Sequence, residues 1–128
     1  MPLTHRISYH KAEKMGYSVD EADDFTVVTR KSVQEGDRVW SIYGVGNPRR
    51  YYLAQTWIVD RIERSEQQGF ETCASAREGL KFSPEIHLNA LPWFRQFRES
   101  QGNFGFGLNS ISSEFVNEFE SIRRRLRP

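Results

Sequence analysis

The stretch from Gly36 to Asp60, GDRVWSIYGVGNPRRYYLAQTWIVD, decides how the rest of the chain is read. Gly36-Asp37 is a turn dipeptide, and Arg38-Val39-Trp40-Ser41-Ile42-Tyr43 behind it is rich in the β-branched and aromatic side chains that suit a pleated surface. Gly44 to Arg50 breaks the run, and from Tyr51 to Val59 it resumes. Alternation along this second strand sends Tyr51, Leu53, Trp57 and Val59 to one face and Tyr52, Ala54, Thr56 and Ile58 to the other. Both faces are partly apolar and both must be covered. That predicts a small closed or nearly closed barrel flanked by helices rather than a one-sided sheet.

Outward from this pair, Phe25 to Arg30 has the density of β-branched residues of a second core strand, and Arg6 to His10 suggests a short strand. Between them, Lys11 to Met15 reads as a turn or two of helix closed by Gly16. Asp20, Glu21, Asp23 and Asp24 follow, but their spacing does not match an EF-hand ligand series, so no metal is expected there. On the other side, the charged run Arg61 to Gln68, Gly69 and the strand-like Phe70 to Ala76 make a long hairpin. Leu80, Phe82, Ile86 and Leu88 recur at even spacing in a further extended segment, which Pro84 confines to an edge or a bulge.

Leu91 to Gln101 reads as a short amphipathic helix with Asn89 as N-cap and Pro92 in its first turn, where the missing donor costs nothing. A glycine-bearing loop with Phe104 and Phe106 comes next. The last helix is the plainest element: Ser110 or Ser112 caps it, and Phe115, Phe119, Ile122 and Leu126 form one apolar stripe with Val116 beside it. Arg123, Arg124, Arg125 and Arg127 sit in its final turn, where cations offset the helix dipole.

At 128 residues the chain is read as a single domain, 1–128, long enough to bury a core. Three Trp, five Tyr and nine Phe are many rings for so small a domain, which points to a ring-lined pocket. A net charge of +1 means that any grip on a phosphate backbone must come from a local patch. Cys73 is the only cysteine, which excludes an intramolecular disulfide and a multi-cysteine zinc cluster and suits the reducing cytoplasm. The first residues hold no apolar run resembling a signal peptide, and nothing approaches the roughly 20 apolar residues of a membrane helix, so no membrane partner is expected.

This order of elements resembles the PUA-like superfamily, most nearly the EVE and YTH-type domains, in which a GD turn opens a central barrel strand. The resemblance runs from about Phe25 to Ile122, through Gly36-Asp37-Arg38-Val39-Trp40, the YYLAQTWIVDRI strand, Leu91-Pro92-Trp93-Phe94 and the final helix. It implies an α+β fold: a small PUA-like, EVE-like β-barrel flanked by short helices and a C-terminal helix. It also implies a reader of nucleic acid, DNA or RNA, that takes a base or modified base into an aromatic pocket and often works with an effector nuclease encoded separately.

Against that expectation, the candidate pocket consists of Trp40, Tyr43, Trp93 and Phe104, with Asn103 or Ser41 as polar contacts. Flat apolar walls suit a base because stacking contributes roughly 1–3 kcal/mol per base, and a few polar groups read its edge. Trp40 and Trp93 are expected to stack, and Tyr43, Asn103 and Ser41 to read edges. Arg49 and Arg50, with Arg95, Arg98 and the C-terminal arginines, supply phosphate contacts, since guanidinium binds phosphate through paired hydrogen bonds.

Signals for catalysis are weak. The Gly102 to Gly107 segment lacks the Gly-Lys-Ser/Thr ending of a phosphate loop, and His5, His10 and His87 do not have zincin spacing. No nucleophile elbow is present, and no motif supplies Cys73 with a base. No catalytic residue, cofactor or metal is therefore assigned, and the chain is read as a noncatalytic recognition module. Two rivals stand beside it. One is a hydrolytic enzyme of the ASCH type acting on nucleic acid or a nucleoside, with His10, Lys11 or Glu13 as acid or base. The other is a protein-interaction subunit.

Overall fold

A computed structural model describes residues 4–11, 25–29, 33–46, 49–64, 72–101 and 109–125. In chain order the elements are β1 (His5–Lys11), β2 (Phe25–Thr29), β3 (Arg38–Val45), β4 (Arg50–Ile58), β5 (Arg61–Arg64), β6 (Thr72–Ala76) and β7 (Gly79–His87). A 3-10 turn (Leu88–Ala90), α1 (Phe94–Ser100), β8 (Asn109–Ser110) and α2 (Ser113–Arg125) complete them. The fold is mixed α+β. Among the described residues the strands form two sheets, one of five in the order β7-β4-β3-β1-β8 and one of three in the order β2-β6-β5, and no closed barrel.

The Gly36-Asp37 turn opens β3 as its composition predicts. Gly36 takes φ of 98°, a conformation that favours a residue without Cβ, and its N–H donates to the Val59 carbonyl at 2.9 Å. The buried Asp37 carboxylate closes the turn by accepting the Gln34 backbone N–H and Arg6 Nε, each at 3.0 Å. That ion pair ties the turn to β1, which lies parallel to β3 in the register Ile7 to Trp40 and Tyr9 to Ile42.

β3 and β4 pair antiparallel, Tyr43 with Tyr52 and Ile42 with Leu53, but Ser41 pairs with Gln55. Ala54 is thus an extra residue, a β-bulge, and everything beyond it changes face. Tyr51 and Leu53 share a face as expected, and it is the one turned to the helices. Trp57, expected on the same face, points the other way and joins Val33, Val39, Val59 and Ala74 in a second core beside Phe25. Gly79 makes room for that core: a Cβ there would lie 2.9 Å from both the Trp57 Cβ and the Phe25 ring.

β5 and β6 form the hairpin read from the sequence, and β7, which carries Pro84, lies at the edge of its sheet. Asn89 does not cap α1. It sits in the 3-10 turn, where its Oδ1 accepts the Tyr51 N–H at 2.7 Å and its Nδ2 donates to the Arg49 carbonyl at 3.2 Å. α1 is correspondingly shorter than expected and begins behind Trp93. In α2 the stripe Phe115, Phe119 and Ile122 is buried, and the Ser112 carbonyl accepts the Phe115 and Val116 N–H groups at the helix start.

Candidate nucleic-acid interface

The face of β3 and β4 turned toward the helices is filled. Trp40 is fully buried, its Nε1 donating to His5 Nδ1 at 3.0 Å and its ring centroid 5.3 Å from that of Phe119. Trp93 is half-buried and meets Phe119 edge-on at 5.0 Å. Phe119 also packs on Phe97 at 5.1 Å, and Phe97 on Phe115 at the same distance. The expected slot between Trp40 and Trp93 is therefore occupied by Phe119, and Trp40 has no face left for a ligand. Tyr43 cannot complete such a slot, because it lies at odd spacing from Trp40 and projects from the opposite face of β3.

At one end of this core lies a polar cluster. Glu120 accepts from Arg123 Nη2 at 2.5 Å, and Arg38 Nε lies 3.8 Å from its other oxygen. Arg38 also donates to the buried Thr56 hydroxyl at 3.1 Å and lies over the Trp40 ring at 5.7 Å. Burial lowers the pKa of His5, since its charged form is disfavoured there; Glu120 opposes the shift, and Arg38 and Arg123 add to it. For Glu120 burial acts upward, but the Arg123 hydrogen bond and the charges of Arg123, Arg38 and His5 outweigh it and hold the carboxyl below its usual range. An open cleft of about 500 Å³ adjoins this cluster, lined by Arg38, Arg123, Asp60, Glu78 and apolar neighbours, and by neither Trp40 nor Trp93.

The opposite face carries a different arrangement. Tyr43, Tyr52 and His87 stand directly across from one another on β3, β4 and β7. Their rings form a ladder, with Tyr43 and Tyr52 stacked at 5.3 Å and 20°, and Tyr52 and His87 at 5.2 Å and 27°. Tyr43 and Tyr52 are half-buried and His87 is exposed at the sheet edge. Arg50, two residues before Tyr52 on β4, shares its face and is exposed. A flat π surface on the same face as an exposed arginine suits a base and its phosphate.

Of the other predicted site residues, Ser41 is buried on the ladder's side of β3, in register with Ser8 and Gln55. Arg49 and Arg50 do not act as a pair: a Cβ at Gly44 would lie 2.8 Å from Arg49 Cδ and against the Tyr9 hydroxyl, so Arg49 folds toward the helix side. Arg95 is exposed and bound to Glu99 at 3.4 Å, and the Arg98 guanidinium lies 5.5 Å from the Tyr51 ring centre. Asn103, Phe104 and Glu13, and the side chains of His10 and Lys11, lie outside the described residues, as do Leu126, Arg127 and the acidic run 20–24.

Tyr52 and His87 were not among the residues expected to form a site. The signal for the first was present: Tyr43 and Tyr52 lie on the two strands of one hairpin, which sets them opposite each other. His87 depends on long-range strand pairing and left no such trace. Among the described residues no three His, Cys, Asp or Glu side chains gather to hold a metal, and no helix is long and apolar enough to cross a membrane. Comparison with protein-family models, with curated proteins and with solved structures found no match to this chain.

Proposed function

We propose that the protein is a nucleic-acid-binding module in which a base, plain or modified, stacks at the Tyr43–Tyr52–His87 ladder while Arg50 contacts phosphate. The observation that carries this reading is the ladder itself: three stacked rings, ending in an exposed imidazole at a sheet edge, on the face away from the helices. Rings across neighbouring strands also stabilise a sheet, by roughly 0.2–1 kcal/mol a pair. That role does not require the outermost ring to be exposed or an exposed arginine to share its face. A PUA-like barrel is supported by the close succession of β4 and β5, and of β6 and β7, which carries the chain from one sheet to the other.

The test is a titration of labelled single- and double-stranded DNA and RNA, plain and base-modified, at two salt concentrations. Binding that weakens with salt and is lost on Tyr52→Ala or His87→Ala supports a reader. Turnover of the oligonucleotide would favour the hydrolytic alternative. Absence of binding to every probe would overturn the proposal.

A further inference from the structure

β5 is a four-residue strand in which every residue is exposed, and among the described residues β6 is its one strand neighbour. Such an edge presents unpaired backbone groups to any extended segment that fits it. Its charges specify what fits. From Asp60 to Arg64 the chain reads Asp-Arg-Ile-Glu-Arg: negative, positive, neutral, negative, positive. Turned end for end, this order is its own complement. An antiparallel copy centred on Ile62 sets Arg61 opposite Glu63 of the second copy, Asp60 opposite its Arg64, and Ile62 opposite Ile62. Neighbouring registers fail. A shift one way sets Arg61 against Arg64, or Glu63 against itself; a shift the other way sets Asp60 against Glu63, or Arg61 against itself. Like charges directly opposite destabilise a strand pair, so one register is selected and the others are disfavoured.

The side chains agree with this arrangement. Arg61 and Glu63 are 70% and 53% exposed and pair with each other within the strand, so both can turn to a neighbour. Asp60 accepts the Arg77 N–H through one carboxylate oxygen, which leaves the other. Ile62, 37% exposed, stands across from Ala74, on the face that borders the second core, and its open flank is the part a second Ile62 would cover.

We propose that β5 pairs antiparallel with β5 of a second copy of this chain, centred on Ile62, joining two three-stranded sheets into one of six. Five residues a side bury less than the roughly 1,000 Å² of a stable interface, so the dimer is weak and falls apart on dilution and in high salt.

Sedimentation of the full chain without nucleic acid, over a concentration series reaching the millimolar range, tests the pairing. The unaltered chain is expected to show a monomer–dimer equilibrium. Arg61→Glu and Glu63→Arg, each of which creates two like-charge contacts, are expected to raise the dimer Kd by about tenfold or more. The double variant Arg61→Glu/Glu63→Arg is complementary to itself again and is expected to regain the dimer. An equal mixture of the two single variants should associate more tightly than either alone. Circular dichroism confirms that these exposed substitutions leave the fold intact. A chain that stays monomeric throughout, single variants that dimerise as well as the parent, or a double variant no better than the singles would each overturn the pairing.

Discussion

The two faces of the β3–β4 hairpin put aromatic residues to opposite uses. Toward the helices, Trp40, Trp93, Phe97, Phe115 and Phe119 meet at tilted and edge-on angles and leave no gap between the tryptophans. Away from them, Tyr43, Tyr52 and His87 lie nearly parallel in a row that ends in an exposed ring. Tilted contacts in every direction are how rings fill a volume, whereas a parallel row on a sheet leaves its outer surface to be continued by another flat group. Abundance of rings therefore says little about a binding site until the face each ring occupies is known.

The sharpest way to break this contrast is Phe119→Ala, which empties the centre of the helix-side cluster. A loss of about 3–5 kcal/mol in unfolding free energy is expected by urea titration, with binding per folded molecule unchanged. Trp93→Ala should likewise lower stability and leave the Kd for nucleic acid as it was. On the other face the effects reverse. Tyr52→Ala is expected to weaken oligonucleotide binding by about 1–3 kcal/mol, read by fluorescence anisotropy, while its two ring pairs cost about 0.4–2 kcal/mol of stability. Arg50→Ala should make the log–log dependence of binding on salt shallower by about 0.7–0.9, the share of one phosphate contact.

The smallest effect is set by pH. His5 accepts the Trp40 indole N–H at Nδ1, so its neutral form is the folded one, and its pKa lies below the usual 6.5. The unfolded chain then binds the extra proton more readily. Stability is full above about 6.5 and declines as pH falls below it. Glu120 acts in the same direction, but only from about 4.5 downward, because its folded pKa is also lowered. His5→Asn should remove the slope just below 6.5 in a series of thermal unfolding curves and leave the more acidic slope in place.

Much of the fold was legible because its signals are local. The Gly36-Asp37 turn, the β3 and β4 strands, the β5–β6 hairpin, Pro84 on an edge strand and the stripe of α2 each follow from residues a few positions apart. The site was less legible. Alternation along β4 cannot reveal that Ala54 is a bulge, and that one residue moves Trp57 to the other core. Nor can spacing show that Phe119, distant from both tryptophans in sequence, fills the gap between them. Arg49 and Arg50 are adjacent in sequence yet part company: Arg50 opens β4 on the ladder's face, whereas Arg49, in the turn before it, folds against Gly44 on the helix side.

The division between the faces is tested most directly by an NMR titration with a short single-stranded oligonucleotide, observing the aromatic side-chain protons. Intermolecular contacts and shift changes at Tyr52 and His87, with the Trp40 indole proton unmoved in its bond to His5, are the expected result. Contacts at Trp93 and Trp40 with none on Tyr52 or His87 would place the ligand on the wrong side of the sheet and contradict the division.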